Sequence, residues 1–383
     1  MHILHVLSQH EVTGAETYAA TLIAEQAREG HRVTVVSDTL STAVAAAYVP
    51  MRIGKRDWPQ RLRNVLALRR LIRVGGIDIV HAHSRAASWV AFFATRLSRA
   101  PLVSSLHILQ SPHLSARLFS VYGEQMVSVA GNVRAHALRV LGLPQRRMHL
   151  VRNGVDVARL AQAPRRAAAR RDLGLPADAP VVAMVGRLSG HRTKVAVSVV
   201  GEAFPWIRTA VPDARLVVVG GMRMPDDFPA LVAATEERLG GAGGAGGRAI
   251  FHVGHQREVA PWYAAADVVI AAGRCAIEAL AVGRPVVATG EACHVGVVSA
   301  ATSEHAMRTN FGDFAADVAP DPAAVAADVI ALLRDPARRD ALARWGRGFV
   351  RRHYDVRATW PQLREVYRCA LAARVRGPAP ART

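Results

Sequence analysis

The sequence contains few cysteines and almost no lysine. Its 383 residues include 3 cysteines, Cys275, Cys293 and Cys369, which lie far apart and form no Cys-x-x-Cys pair. Neither a disulfide framework nor a cysteine-rich zinc site is therefore expected, and a reducing compartment fits best. The lysines are Lys55 and Lys194, so arginine carries nearly all of the positive charge.

Long hydrophobic runs are also absent. No window reaches the roughly 18 consecutive apolar residues that a transmembrane helix requires, and the apolar start at residues 3–7 is too short for a signal peptide. These absences predict a cytoplasmic protein. With 51% hydrophobic and 21% charged residues, the composition is that of a folded globular chain. At about 150 residues per domain, two or three domains are expected.

The positive charge is large, because 49 basic and 30 acidic residues give a formal net charge of +19. Such a balance favours anionic partners, among them nucleic acid, anionic lipid and phosphorylated substrates. Aromatic residues make up only 5% of the chain, and no patch interleaves them with basic residues, which disfavours binding of single-stranded nucleic acid. The abundance of Arg and Ala also fits a GC-rich coding bias. No nucleic-acid partner is predicted.

Several cofactor and metal motifs are missing. Neither half contains Gly-x-Gly-x-x-Gly followed by an acidic residue about 20 positions later, and no Walker A string occurs, so a dinucleotide oxidoreductase or a P-loop enzyme is disfavoured. His-Glu-x-x-His is absent. His81 and His83 lie two positions apart at a predicted strand end, where such a pair is more typical of packing or substrate contact than of metal binding. No metal site is predicted.

The pattern that is present is an alternation of short β-branched runs with segments of helical period, which predicts an α/β fold. Strands are predicted near residues 3–7, 33–36, 77–80, 102–105, 126–129 and 149–151, and in a second series near 181–185, 216–219, 250–253, 267–270 and 286–288. The two series predict two Rossmann-like, doubly wound domains that face a cleft. The N-terminal domain is placed at 1–165 and the C-terminal domain at 176–345, and a C-terminal helix at 346–375 is expected to cross back to the first domain.

The most informative stretch runs from Gly273 to Ala288. It predicts a strand end, a Gly273-Arg274 turn, a short helix that carries Glu278, and a Gly-Arg-Pro string that leads into another strand. A glycine at a helix N-terminus lets backbone N–H groups approach a diphosphate, and a carboxylate one turn further can accept hydrogen bonds from a ribose diol. The stretch therefore favours nucleotide binding; the alternative is an ordinary turn followed by a solvated glutamate.

The order and spacing of five strings resemble those of the retaining family 4 glycosyltransferases (glycosyl transferases group 1), which have the GT-B fold. These strings, which extend over nearly the whole chain, are Thr13-Gly14-Ala15-Glu16, Val80-His81-Ala82-His83-Ser84, Asn153-Gly154-Val155-Asp156, Gly186-Arg187-Leu188 and the segment from Glu278 to Val286. The resemblance implies an enzyme that transfers a sugar from a nucleotide diphosphate sugar to an acceptor hydroxyl with retention, in cell-surface polysaccharide or lipopolysaccharide synthesis.

The resemblance also implies partners. The acceptor is expected to be a saccharide or a lipid-linked molecule, and the Arg-rich residues 61–73 are the place where peripheral contact with an anionic membrane at the inner face would occur. No Asp-x-Asp string occurs in the chain. The divalent cation of many other transferases is therefore not implied, and no cofactor is expected beyond the nucleotide sugar co-substrate.

Individual residues acquire roles through this resemblance. Glu278 matches a glutamate that holds the nucleotide ribose. The other residues expected at the donor are Gly14, Gly186, Arg187, Gly273 and Arg274. Those expected to act in catalysis, by approaching the reacting sugar or by neutralising the departing diphosphate, are His107, Arg187, Arg192 and Lys194. Those expected to contact the acceptor are Glu16, His83, Ser84 and Arg85.

One residue of the family pattern is missing. In the Glu-x7-Glu motif that ends at Glu278, the first position is Ile270, and the usual Pro-Ser-x-x-Glu loop is shortened to Ala271-Ala272-Gly273-Arg274. Since the resemblance places the first glutamate near the donor sugar, sugar recognition is expected to use other groups, such as backbone amides or Arg274.

Two alternatives stay open. One is a nucleotide-sugar epimerase of the same architecture, in which His107 and Glu16 would perform elimination chemistry. The other is a non-catalytic basic protein that binds anionic membrane or nucleic acid, whose binding would fall steeply with salt.

Overall fold

The structure is a computed structural model, which describes residues 1–8, 14–38, 46–55, 57–111, 120–188, 192–221, 225–240, 247–313 and 321–375. The chain divides into two compact units. The first comprises Met1–Val155 together with the chain from His353 onward, and the second comprises Asp156–Arg352.

The first unit is a parallel sheet with helices on its faces. The described residues form seven strands in the order β3-β2-β1-β4-β5-β6-β7, and neighbouring strands are parallel. The strands are β1 (His2–Val6), β2 (Arg32–Ser37), β3 (Ala47–Pro50), β4 (Ile79–Ala82), β5 (Leu102–Leu106), β6 (Gln125–Ser128) and β7 (Met148–Leu150). The helices before the unit boundary are α1 (Gly14–Arg28), α2 (Trp58–Val74), α3 (Arg85–Thr95) and α4 (Gly131–Arg139).

The second unit repeats this architecture. Its described strands lie in the order β10-β9-β8-β11-β12-β13, and every neighbouring pair is parallel except β12 with β13. The strands are β8 (Val181–Gly186), β9 (Arg215–Gly220), β10 (Ile250–Gly254), β11 (Val268–Ala271), β12 (Val286–Thr289) and β13 (His294–Val297). The helices are α5 (Val157–Leu160), α6 (Arg166–Asp172), α7 (Arg192–Ser198), α8 (Phe204–Ala210), α9 (Phe228–Arg238), α10 (Ala260–Ala265), α11 (Gly273–Val282), α12 (Ser303–Thr309), α13 (Pro322–Arg334) and α14 (Pro336–His353).

These two sheets confirm the predicted α/β class with two doubly wound halves. The central strands β1, β4, β8 and β11 are buried on both faces, as expected for parallel strands covered by helices. In each sheet the strand order reverses at one point, between β1 and β4 in the first unit and between β8 and β11 in the second. Ligands of open α/β sheets bind at such points, beyond the carboxyl ends of the strands.

The last helix, α15 (Val356–Val375), belongs to the first unit. Its apolar residues recur three and four positions apart and pack on Ile3, Ile79 and Val103 of the sheet; they are Trp360, Leu363, Tyr367 and Ala370. The chain leaves the second unit at His353, a few residues after the predicted position 346. Val155 and Asp355 form a parallel bridge where the chain returns.

The segment between residues 165 and 176, which was left outside both predicted domains as a connection, is instead part of the second unit. Its Arg170 side chain is only 1% exposed. The guanidinium donates hydrogen bonds to Ala265 O at 2.9 Å, Ala177 O at 2.7 Å and Asp267 Oδ2 at 2.8 Å. The buried Arg170 therefore anchors this segment to the second unit.

Two strands and several helices, among them α4, α9, α12 and α13, were not predicted. The strands β3 and β13 are edge strands of four residues each, and β13 runs antiparallel. The helix α4 is short and has a mixed apolar and basic sequence. Among the described residues no helix is both long and apolar enough to cross a membrane.

Candidate functional site

At the switch point of the second sheet, β8 ends in a tight turn. Gly186 closes the strand, Arg187 is exposed, and Leu188 has a left-handed φ of 43°. Such a conformation costs a leucine about 1 kcal/mol. The Leu188 side chain is buried in the core of the unit, and the Thr193 hydroxyl donates to its carbonyl at 3.4 Å, so packing holds the turn in place. This turn fixes the backbone that carries Arg187.

The neighbouring strand β9 also ends in glycine, and the two strand ends touch. Gly220 pairs with Gly186 and has a φ of 122°. A β-carbon on Gly220 would lie 1.7 Å from Gly186 O, so no side chain fits there. Both glycines are partly exposed. The carboxyl ends of β8 and β9 therefore present backbone without a β-carbon at these two positions, which allows a diphosphate to approach the main chain closely.

Across the switch point, α11 begins directly after β11. Gly273 is its first residue, with a φ of 56°, and its N–H donates to Asn310 O at 3.0 Å. A β-carbon on Gly273 would lie 2.6 Å from Asp313 Oδ2. The segment that brings Asp313 there has three successive residues with positive φ, at 52°, 58° and 83°; they are Asn310, Phe311 and Gly312.

One turn into α11, Glu278 lies between an arginine and a tyrosine. Arg274 Nε donates to Glu278 Oε1 at 2.7 Å, and the Tyr263 hydroxyl donates to Glu278 Oε2 at 3.3 Å. Burial, followed by the nearby Cys275 and Glu278, holds the pKa of Tyr263 well above its ordinary value. Burial likewise raises the pKa of the Cys275 thiol to about 12. Tyr263 therefore stays a neutral donor that orients the Glu278 carboxylate.

The remaining cations predicted for this site lie on α7, the helix that follows the β8 turn. Arg192 is the first residue of α7, and its side chain lies outside the described part of the structure. Lys194 is exposed on the first turn. The structure therefore brings Arg187 and Lys194 onto the same strand–turn–helix segment of the second unit.

In the first unit, the predicted acceptor residues lie at the starts of two helices. Gly14 begins α1, Glu16 is buried in its first turn, and Thr13 lies outside the described residues. Ser84 caps α3, since its hydroxyl accepts a hydrogen bond from Ala87 N at 3.1 Å. Arg85 follows and donates to Ser111 O at 2.9 Å.

Four histidines meet at the carboxyl ends of β1, β4 and β5. This histidine cluster consists of His5, His81, His83 and His107. The rings of His81 and His83 have centroids 4.1 Å apart, and those of His83 and His107 are stacked at 5.6 Å. Burial lowers the pKa of His5 and of His107 to about 4 and holds the pKa values of His81 and His83 well below their ordinary value. The cluster is therefore neutral at physiological pH.

Three of these side chains, His5, His81 and His83, form the group in the described residues whose ligand atoms are close enough to share a metal ion. The other contacts of the rings fit a metal poorly. His81 has hydrogen-bond partners at both ring nitrogens, Tyr367 and Ser105, each at 2.7 Å. Both ring nitrogens of His5 also have partners, Gln26 and His83, each at 2.8 Å. The arrangement therefore favours hydrogen bonding.

Two family models match the chain. The model of Glycosyltransferase Family 4 matches residues 12–159, and that of Glycosyl transferases group 1 matches residues 179–335. The chain is 31% identical over 346 residues to the D-inositol 3-phosphate glycosyltransferase of Kineococcus radiotolerans, an alignment that covers 79% of this chain and 74% of the relative. The chain is a family 4 glycosyltransferase.

Solved structures share the fold of this glycosyltransferase. A glycosyltransferase from Rickettsia africae matches with a TM-score of 0.79 and 18% identity, covering 97% of this chain and 98% of the other. HepE from Anabaena in complex with UDP matches with a TM-score of 0.70 and 19% identity, covering 95% and 99%. The predicted GT-B fold is thereby confirmed.

Several residues of the glycosyltransferase that contact the predicted site residues were not predicted. Tyr263 and Asp313 lie beside α11, His5 belongs to the histidine cluster, and Gln26 and Asn153 extend that cluster. His5 could have been noticed as a polar residue inside the predicted apolar run at residues 3–7. No sequence signal marks Asp313. The three left-handed residues that place it beside Gly273 directly precede Asp313 and lie far from Gly273 in the sequence.

Proposed function

We propose that this glycosyltransferase transfers a sugar from a nucleoside diphosphate sugar to an acceptor hydroxyl, with retention and without a metal ion. The observation that carries the donor site is the carboxyl end of the second sheet, where Gly186 and Gly220 meet on β8 and β9 and where α11 begins after the neighbouring strand β11. A helix N-terminus and bare backbone favour a diphosphate, and Glu278 one turn along offers carboxylate oxygens to the ribose diol.

In this proposal each predicted residue has a distinct task. The exposed Arg187, together with Lys194 or Arg192, neutralises the charge that develops on the departing diphosphate. Arg274 and Tyr263 hold the Glu278 carboxylate. The neutral His107 approaches the reacting sugar, and Glu16, His83, Ser84 and Arg85 shape the acceptor side of the first unit. The missing first glutamate of the motif has a carboxylate substitute in Asp313, which contacts the start of α11.

The acceptor we propose is a phosphorylated polyol of the inositol phosphate class. Its support is the name of the relatives, which are D-inositol 3-phosphate glycosyltransferases. The net charge of +19 fits an anionic acceptor, because a positive field raises the local concentration of anionic substrates.

A surface on α2 favours a second candidate acceptor. This acceptor is a lipid-linked saccharide of cell-surface polysaccharide or lipopolysaccharide synthesis. Trp58, Leu62 and Leu66 recur every four residues, so they share one face of the helix, and they are 71%, 60% and 56% exposed. Arg61 lies between aromatic rings, with its Cζ 4.9 Å from the centroid of Trp89 on α3 and 5.8 Å from that of Trp58. Neither helix contains an acidic residue, and the arginines on them are Arg61, Arg63, Arg69, Arg70, Arg73 and Arg85.

Exposed aromatic and aliphatic side chains flanked by arginines are typical of helices that lie on anionic membranes. This α2 surface would place the enzyme at the cytoplasmic face of the membrane. The wild type should sediment with phosphatidylglycerol vesicles, and added salt should release it. Trp58→Ser should no longer sediment with the vesicles. Trp206→Ser removes another exposed tryptophan, on α8, and should bind like the wild type. Equal binding of Trp58→Ser would exclude the α2 surface.

Product analysis tests the enzymatic proposal. The enzyme is incubated with uridine and guanosine diphosphate sugars, with and without D-inositol 3-phosphate, in the presence of a chelator. We expect a glycosylated acceptor whose anomeric configuration matches that of the donor, formed at an undiminished rate with the chelator. Interconversion of two nucleotide sugars without any acceptor would instead show an epimerase.

A further inference from the structure

The histidine cluster continues into a longer chain of hydrogen bonds within the first unit. His5 Nε2 lies 2.8 Å from Gln26 Oε1, and His5 Nδ1 lies 2.8 Å from His83 Nε2. The other nitrogen of His83, Nδ1, lies 3.4 Å from His107 Nε2. His107 Nδ1 in turn lies 3.4 Å from Asn153 Nδ2. Each imidazole therefore has one neighbour at each ring nitrogen.

A neutral imidazole has one donor and one acceptor nitrogen, so the two ends of such a chain fix the direction of every bond in it. At one end the Asn153 amide N–H donates to His107 Nδ1. At the other end Gln26 Oε1 accepts and therefore requires a proton on His5 Nε2. Both amides impose the same order, in which His107, His83 and His5 each carry the proton on Nε2.

A branch from Gln26 agrees with this direction. Gln26 Nε2 donates to the Tyr367 hydroxyl at 3.5 Å, and that hydroxyl lies 2.7 Å from His81 Nδ1. His81 Nε2 lies 2.7 Å from the Ser105 hydroxyl. With Tyr367 as donor to His81, the fourth histidine also carries its proton on Nε2. Reversing the chain would require both terminal amides to rotate and every imidazole proton to move.

Among the described residues, no charged side chain is in ring contact with the cluster. The titratable side chains of this part of the chain that face the cluster are Tyr18 from α1, whose ring centroid is 5.6 Å from that of His107, and Tyr367 from α15. Burial raises the pKa of Tyr367 well above its ordinary value, so it remains a hydroxyl donor. Neutral imidazoles with neutral neighbours keep the tautomers that their hydrogen bonds dictate.

We propose that His5, His83 and Asn153 are positioning residues that hold His107 as the neutral Nε2–H tautomer, so that His107 presents an acceptor nitrogen, Nδ1, to a hydroxyl group of the sugar. This inference rests on the proposed role of His107 at the reacting sugar. The 3.4 Å contact with Asn153 is long for a hydrogen bond, and a substrate hydroxyl can replace it as the donor to Nδ1. A phosphate oxygen, which only accepts, does not match this nitrogen.

The tautomer of His107 can be measured without any activity. In the full-length protein labelled with ¹⁵N-histidine, we expect His107 to show a protonated Nε2 and an unprotonated, pyridine-like Nδ1, assigned by loss of its signals in His107→Gln. Asn153→Asp replaces the donor by a carboxylate of the same shape, which only accepts, and should bring a proton onto Nδ1. His149→Gln removes a histidine of β7 that is hydrogen-bonded to Gln125 and does not belong to the chain of hydrogen bonds. This control should leave the His107 signals unchanged.

Two substitutions at one position separate positioning from packing. A glutamine at position 83 can accept from His107 through its oxygen and donate to His5 through its amide, whereas phenylalanine fills the space without hydrogen bonds. We expect His83→Phe to lower kcat about 10-fold, and His83→Gln to recover most of the loss. Thermal unfolding of both variants checks that each is folded.

Three results would overturn the inference. They are a proton on Nδ1 of His107 in the wild type, unchanged His107 signals in both Asn153→Asp and His83→Phe, and stoichiometric metal in the purified protein that is lost on substitution of His5. A wild-type enzyme with the expected tautomer but without glycosyl transfer would contradict the proposed function and leave the hydrogen-bond chain intact.

Discussion

The Asp313 carboxylate lies against the first residue of α11: a β-carbon on Gly273 would be only 2.6 Å from Asp313 Oδ2. The Asn310 amide donates to the same oxygen at 3.3 Å and fixes its position. A carboxylate near a helix N-terminus is stabilised by the helix dipole. The proposed donor diphosphate approaches the same position, so the negative charges of Asp313 and the diphosphate repel each other.

Asp313→Asn should therefore tighten the binding of a free nucleoside diphosphate by about 2-fold, since removing one like charge near the phosphates is worth about 0.5 kcal/mol at a partly exposed site. The intact nucleotide sugar should gain less, because the sugar loses its carboxylate partner. Titration calorimetry with UDP and with a UDP-sugar measures the two effects. Weaker binding of both ligands to Asp313→Asn would contradict the proposed repulsion between Asp313 and the diphosphate.

Arg187→Ala should lower kcat by about 10- to 100-fold, because one charge-assisted hydrogen bond to the departing diphosphate is worth about 1.5–3 kcal/mol. Arg187→Lys should recover only part of this loss, since lysine cannot bind two phosphate oxygens with a planar fork. Arg351→Ala, at an exposed position on α14, serves as the control in the same steady-state assay. A wild-type kcat in Arg187→Ala would remove this residue from the proposed mechanism.

The buried Arg170 should contribute strongly to stability. Arg170→Ala removes the buried partner of Asp267, which is only 8% exposed and keeps the half-exposed Arg166 at 2.9 Å. Loss of one member of a buried ion pair costs up to about 3–5 kcal/mol. The neighbouring Arg171 is 76% exposed, so Arg171→Ala should change the free energy of unfolding by less than about 0.5 kcal/mol. Urea unfolding compares the two. Similar midpoints for both variants would show that the Arg170–Asp267 pair does not stabilise the second unit.

The buried histidines should make the protein less stable as the pH falls. Burial lowers the pKa of His5 from 6.5 to about 4 in the folded state. Between these values the unfolded chain binds a proton that the folded chain does not, so the free energy of unfolding is highest above pH 6.5 and decreases as the pH falls toward 4. For His5 alone the full loss is about 3 kcal/mol.

Urea unfolding at a series of pH values checks this dependence. His5→Gln should flatten the slope between pH 6.5 and 4, whereas His255→Gln, which changes an exposed histidine, should keep it. A wild-type stability that rises as the pH falls through this window would contradict the burial of neutral histidines.

Local patterns were sufficient to predict the strands that form the centre of each sheet. β1, β8 and β11 are short apolar runs bounded by turns, and their sequence alone indicates buried parallel strands. The turn after β8 and the helix that begins at Gly273 could be located in the same way, because each begins with a glycine, a residue that is common where the chain turns.

What sequence could not predict are the contacts made by residues distant along the chain. Gly154 illustrates this, because a β-carbon there would lie 2.5 Å from Thr359 Oγ1 on α15, so this motif glycine makes room for the returning chain. The Arg170–Asp267 pair and the Asp313–Gly273 contact likewise join residues that no local periodicity relates. The shortened loop before α11 removes a glutamate from the motif, and a carboxylate from another segment lies beside that helix.

Binding of nucleoside diphosphates tests the central claim most directly. UDP and GDP are titrated into the wild type, Glu278→Gln and Glu237→Gln, the last being a control at an exposed position on α9, and the melting temperature is followed. A ligand at 100 times its Kd adds about 2.7 kcal/mol of stability. We predict that one of the two nucleotides raises the melting temperature of the wild type and of Glu237→Gln, and that Glu278→Gln needs about 10-fold more of it for the same shift. No shift with either nucleotide at millimolar concentration, or an identical response in Glu278→Gln, would contradict the account.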